Sequence, residues 1–239
     1  TDVLTHLRLL RDAKPTMAAI LLFGRDPQGF VPAAELRCMH FHGTTVQRPA
    51  PSYQVFKGTL FNKLDRAVDF VLSVLHRRVG TRALSAQAPV SYDIPPEVVR
   101  EAIVNAVVHR DYTSRASVQV SVFADRVEVR NPGTLPAELT PESLRKPHPS
   151  IPRNARVCEA FFLTSYIEKY GTGTLMMIDR SAAAGLPPPG FEPHEAEFLA
   201  TLWRDWLTPE VVARLDLNDR QSRAMAHLKA QPRITIGEY

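Results

Sequence analysis

The chain has 239 residues, 44% hydrophobic and 23% charged, and its 29 Lys+Arg against 25 Asp+Glu give a formal net charge of +4. This composition excludes a disordered or fibrous chain, and the length allows one large core or two modest ones. No apolar run reaches the roughly 20 residues of a bilayer crossing, no secretory signal is visible, and Cys38 and Cys158 have neither metal-ligand nor disulfide-framework spacing, so a cytoplasmic chain without membrane contact is expected.

The basic excess is N-terminal: residues 1–94 carry 12 Lys+Arg against 7 Asp+Glu, the remainder 17 against 18. Such a bias suits a polyanion, but it is also common on enzymes that never meet DNA. Leu4, Leu7 and Leu10 at helical spacing read residues 1–14 as the tail of a helix stopped by Pro15, so that the chain starts mid-protein. The apolar run Met17 to Phe23 reads as a buried strand ended by the turn Gly24-Arg25-Asp26-Pro27. Strands are expected from Glu35 to Phe41 and from Tyr53 to Phe56. An amphipathic helix follows through Leu60, Leu64, Ala67, Val68, Val71 and Leu75.

Pro95-Pro96 opens the next helix, which runs to about Asp111. Val118, Val120 and Val122 then alternate along one strand and Val127 and Val129 along the next, a hairpin turning at Ala124-Asp125. The polar, proline-rich stretch from Pro132 to about Ile151 is too long for a plain connector and reads as part of a lid. Helices near 155–166 and 173–184, the break Pro187-Pro188-Pro189-Gly190 and a strand from Glu197 to Trp203 complete the pattern.

Chemistry concentrates in the helix after Pro95, where Glu101, Asn105 and His109 fall four residues apart between apolar flanks. A buried carboxylate and amide cost several kcal/mol unless paired, so the stripe faces either a pocket holding ligand, metal or water, or neighbouring loops that it caps. No Gly-x-x-x-x-Gly-Lys-Ser/Thr loop occurs, which excludes a P-loop motor. The histidines His6, His40, His42, His148 and His194 have no ligand spacing and read as surface or hydrogen-bonded residues.

Three segments in order resemble the boxes of GHKL ATPases, and together they cover roughly residues 94–203. Glu101-Ala-Ile-Val-Asn105 with the extension His109-Arg110-Asp111-Tyr112 is similar to the N-box, Asn131-Pro132-Gly133-Thr134-Leu135 to the first glycine box, and Glu168-Lys-Tyr-Gly171-Thr-Gly173-Thr174 to the second. The resemblance is narrower to bacterial RecG-related transcriptional regulators, in which an Alba/Schlafen-type DNA-binding domain precedes the ATPase-like domain. It implies ATP and Mg²⁺ as cofactors: Asn105 on the metal, Glu101 activating water, His109 beside them, Asn131 and Gly133 receiving adenine, and Gly171 and Gly173 receiving phosphates. Arg153 in the lid region is either a phosphate or lid contact or a solvated arginine. Asn131 and Leu135 depart from the Asp and second Gly of the first box, which weakens adenine recognition because a neutral amide lacks the charge-assisted bond.

The expected fold is α+β: an N-terminal α/β unit over 1–92, a GHKL (Bergerat)-like two-layer sandwich of helices on a mixed sheet over 93–206, and over 207–239 a linker and the stub of a winged helix. Asn218 caps the first helix of that stub and Ile234-Thr235 starts its next element. The expected function is an ATP-gated module of a transcriptional regulator with slow or no hydrolysis; the alternative is a vestigial fold serving as scaffold or dimerisation unit. DNA is expected to bind the full-length protein and only weakly this fragment, which is read as a homodimer candidate.

Overall fold

The computed structural model describes residues 2–79, 90–167, 171–205, 215 and 217–230. Short elements come first: α1 (Asp2–His6), β1 (Leu10–Arg11), β2 (Lys14–Pro15), α2 (Met17–Phe23) and α3 (Pro27–Phe30). Then follow β3 (Leu36–His40), β4 (Ser52–Phe56), α4 (Leu60–Val74), β5 (Arg77–Val79), β6 (Val90–Tyr92) and α5 (Pro96–Val108). The remainder comprises β7 (Val118–Val122), β8 (Arg126–Pro132), α6 (Ala155–Leu163), α7 (Gly173–Ala183), β9 (Gly190–Pro193), β10 (Glu197–Trp203) and α8 (Asp219–Ala230). Among the described residues no helix is long and apolar enough to cross a membrane.

The architecture is α+β with one mixed six-stranded sheet in the order β4-β3-β7-β8-β10-β9. Only β3 and β7 run parallel; the other pairs are antiparallel. In register, Cys38 lies opposite Val120, Val120 opposite Val129, and Val129 opposite Ala200, a buried row that packs under α4 and α5. Period-two alternation sends the residues between them to the other face. There Glu128 takes Arg126 at 2.8 Å and Arg130 at 3.0 Å, and Arg130 reaches Glu197 at 3.4 Å. The sandwich therefore has two layers, one sheet face under helices and one carrying an alternating ladder of charge.

The sheet runs across residue 92, since β3 and β4 precede it and the other four strands follow. Buried polar groups fasten this seam. Arg110, 1% exposed, donates to the carbonyls of Ala33, Ser114 and Ala116 at 3.2, 3.1 and 2.7 Å. Lys63, 2% exposed, donates to the Ala34 carbonyl, and burial together with the Arg110 charge lowers its pKa to about 7. Asp93 binds Arg204 at the end of β10 at 2.8 Å and His76 after α4 at 3.3 Å.

Two N-terminal expectations are corrected. The run Met17 to Phe23 is a helix, not a strand: Thr16 accepts from the Ala19 amide at 3.3 Å, and Ala19, Leu21 and Leu22 are buried while Met17 and Phe23 are exposed. Seven apolar residues have no readable period, so the N-cap decided the outcome. The helix expected over 1–14 stops at His6, because Arg8 takes a φ of 52° and the Leu9 amide closes onto the Leu4 carbonyl at 2.8 Å; Asp12 and Ala13, with φ of 50° and 58°, then turn β1 back onto β2 as a two-residue hairpin. At the other end Asn218 caps α8 reciprocally, accepting from the Gln221 amide at 2.9 Å while the Gln221 side chain accepts from the Asn218 amide at 3.0 Å. The expected continuation Ile234–Thr235 lies outside the described residues.

Because one sheet and one core serve both sides of residue 92, a truncation in α4 should be felt at β10. Leu64→Ala, at a position with 0% exposure, is expected to cost about 2–5 kcal/mol. In urea, far-UV circular dichroism and tryptophan fluorescence should shift to one common, lower midpoint; separate midpoints for the two probes would show two independent cores.

Candidate functional site

Helix α5 buries Val98, Ala102, Val104 and Val108 to less than 4% exposure, so its remaining stripe, Glu101, Asn105 and His109, is held on a fixed heading. That stripe faces a cavity of about 140 Å³. Asn131 of β8 and Gly171 and Gly173 at the start of α7 line the same cavity. Val129, Phe198 and Ala200 form its sheet wall, and Leu135, Leu139, Leu144 and Ile151 come from the segment expected to be a lid.

The contacts are close. The Asn105 amide nitrogen donates to Glu101 Oε1 at 3.0 Å, so its Oδ1 is the atom it can offer a hard cation. A Cβ on Gly173 would stand 1.8 Å from Glu101 Oε1, and a Cβ on Gly171, whose φ is +65°, would stand 2.5 Å from the His148 carbonyl oxygen. Gly171, at positive φ and against backbone, admits no side chain, whereas at Gly173 a side chain would have to turn the Glu101 carboxylate aside. Helix α7 has 11 residues and starts at Gly173 beside Glu101, so the positive end of its dipole lies at the cavity end where the Glu101 carboxylate lies.

Asn131 is 7% exposed. Its partners orient the carboxamide with the nitrogen toward α5, donating to the Ala106 carbonyl at 2.9 Å, which leaves the carbonyl oxygen as its acceptor. Gly133 and Arg153 do not line the cavity. Gly133, with φ +133°, lies against the backbone of His109 and Asp111, and the Asp111 amide bonds the Pro132 carbonyl at 2.7 Å, so this glycine joins the first glycine box to the loop after α5. Arg153 donates to the Thr134 carbonyl at 2.9 Å and lies 3.9 Å from Asp111, a brace at the foot of the lid. Glu168 lies outside the described residues.

Sequence reasoning missed two participants. His148 lines the cavity rather than the open surface, its Nε2 3.0 Å from Thr174 Oγ1 and its Nδ1 3.0 Å from the Pro149 carbonyl. Asn154 donates to the carbonyls of Val108 and Arg110, both at 2.8 Å, and so caps the end of α5 from a distance. Their partners are 26 and 44 to 46 residues away, beyond any local pattern. His109 is held neutral: burial, then Arg153 and His148, lower its pKa to about 4. Among the described residues no group of three or more His, Cys, Asp or Glu could hold a metal, so a cation here would take its protein oxygens from Asn105 and the adjoining Glu101 and the rest of its ligands from its own partner anion and water.

Residues 115–202 match the family model HATPase_c_4, described as "Putative ATP-dependent DNA helicase recG C-terminal". The match contains Asn131, Gly133, Arg153, Gly171 and Gly173 and starts after Glu101, Asn105 and His109; it supports a RecG-related ATPase-like domain. The crystal structure of the DIP2311 protein from Corynebacterium diphtheriae superposes with a TM-score of 0.69 at 22% identity, over 84% of this chain and 40% of that one. At that identity the likeness is one of fold, and this chain spans well under half of the relative's length. No curated protein matches the chain.

Two measurements check the geometry. Gly171→Ala, with a φ of +65° and a backbone oxygen 2.5 Å from the added Cβ, is expected to destabilise by about 1–3 kcal/mol, whereas Gly173→Ala is expected only to displace the Glu101 carboxylate, at less than about 1 kcal/mol; additive effects of Gly173→Ala and Glu101→Ala in a double-mutant cycle would show that the two do not touch. His109 supplies a pH test. Its folded pKa of about 4 lies below the usual His value of 6.5, so its contribution is complete above pH 6.5 and is lost as pH falls toward 4, on the order of 3 kcal/mol in all. His109→Gln should flatten the stability profile in that window, and an unchanged slope would remove His109 as its source.

Proposed function

We propose that the chain is the ATP-binding module of a DNA-binding transcriptional regulator, gated by Mg²⁺-nucleotide and hydrolysing it slowly or not at all. The observation that carries this reading is the convergence of Glu101, Asn105, Asn131, Gly171 and Gly173 on one cavity. Their chemistry is mutually suited. An Asn carbonyl fits a cation that keeps its waters and shares phosphate oxygens, and glycines at a helix start let a phosphate approach the backbone. The Asn131 carbonyl can accept from an adenine amino group.

In this scheme Mg²⁺ neutralises phosphate charge when bound. Asn105 holds it, Asn131 orients the base, and Glu101 is the carboxylate within reach of a water near the phosphates. DNA contact belongs to the longer protein, a nucleotide-dependent homodimer being its simplest form; this fragment, with a net charge of only +4, binds DNA weakly and without sequence preference. A second reading has one observation behind it: the cavity of about 140 Å³ is below the roughly 300 Å³ of ordinary ligand pockets. On that reading the site is vestigial and the chain is a scaffold.

Calorimetry and thermal melting with Mg-ATP separate the two. The wild type at one hundred times its Kd should gain about 2.7 kcal/mol of stability, the gain should fall without Mg²⁺, and Asn105→Ala should lose at least about ten-fold in affinity, or about 1.4 kcal/mol. No stabilisation of the wild type by Mg-ATP at millimolar concentration would leave the scaffold reading standing.

A further inference from the structure

At its Asn131 end the cavity is walled by the apolar side chains of Val129, Phe198 and Ala200. Its volume of about 140 Å³ is close to the ~150 Å³ of a dry apolar cavity that admits one benzene. It is the size of a heteroaromatic ring, well below that of a whole nucleoside triphosphate.

At the other end the space beside α7 is filled by the protein itself. The Glu101 carboxylate rests on Gly173, where the dipole of α7 favours an anion, and it would repel a second one. The His148 carbonyl oxygen rests on Gly171. The His148 imidazole is bonded at both nitrogens, to Thr174 on the first turn of α7 and to the Pro149 carbonyl, so the main chain at 148–149 is held across the start of the helix.

We propose that residues 148–150 are a strap latched to α7 through His148 and Thr174, which admits the base of a nucleotide but excludes its phosphates until the latch opens and Glu101 swings aside. The strap rests on the nucleotide reading above and adds its regulation: the chain as it stands is a closed form, and phosphate-bearing ligands bind at the expense of the His148–Thr174 bond. Ligands that end at the ring do not meet it. The apparent affinity for the larger ligand is then reduced by the fraction of molecules with the strap open.

The probes are adenine and Mg-ATP, titrated by calorimetry or NMR into the 239-residue chain as wild type, His148→Ala and Thr174→Val, the second substitution removing only the hydroxyl. In both variants the ATP affinity relative to that for adenine is expected to rise about five-fold, the factor that one neutral hydrogen bond contributes. If both ligands bind and the ratio stays at its wild-type value in both variants, the strap is overturned and the nucleotide site stands. Binding of ATP without any binding of adenine also overturns it, because the ring then has no entry of its own. If neither ligand binds wild type or variants, the strap and the nucleotide reading fall together.

Discussion

The site depends on one close approach, that of α7 to α5 at Gly173 and Glu101, where a single methyl group in place of hydrogen would stand 1.8 Å from a carboxylate oxygen. Because α7 begins there, the positive end of its dipole lies beside the α5 stripe. Because the carboxylate lies there, Asn105 is turned by its hydrogen bond to Glu101 and presents oxygen rather than nitrogen. The shape of the cavity and the polar atoms turned into it therefore follow from one contact between two helices. It survives only while α5 is held rigidly, which the valines buried against the sheet provide.

Rigidity of α5 is in turn a property of the whole sheet. Strands β3 and β4 extend it past the hairpin that carries Asn131, and Arg110, one residue beyond the site's His109, is buried against the carbonyl of Ala33 from the N-terminal elements. An arginine in so dry a place is costly unless several acceptors meet it. Three carbonyls meet its Nη2 and the Tyr112 ring stacks over the guanidinium at 4.8 Å, while Nε and Nη1 are buried without a hydrogen-bond partner among the described residues. The His-Arg-Asp-Tyr sequence is thus mostly architectural: His109 faces the cavity, while Arg110 and Tyr112 lock the loop behind it.

What was legible in the sequence followed from periodicity. The valine alternation of β7 and β8, the amphipathic stretch of α4 and the four-residue spacing of Glu101, Asn105 and His109 each report a face, and each lies where its period puts it. Met17 to Phe23 was misread because an unbroken apolar run has no period to read. The strand Gly190–Pro193 went unread because its four residues contain Gly and Pro and owe their conformation to pairing with β10. The roles of His148 and Asn154 were beyond reach because each is defined by a partner distant in the chain. Gly133 was recognisable as a special backbone position, but whether it faced the cavity or the neighbouring loop depends on the seating of β8 beside Asp111, which no local pattern encodes.

The brace between Arg153 and Thr134 has a mechanical consequence. It closes the ends of the segment between them into a ring, and Asn154, bonded to the carbonyls of Val108 and Arg110, rivets the exit of that ring to the end of α5. The conformational entropy of bringing the two ends together is therefore already lost in the resting chain. Residues 135–152 are pinned within the ring as well, by Leu144, which is buried in the core, by Arg145, which donates to the Pro189 carbonyl at 3.1 Å, and by His148 at Thr174. The segment is therefore a closed flap tied at both ends and along its length rather than a free loop.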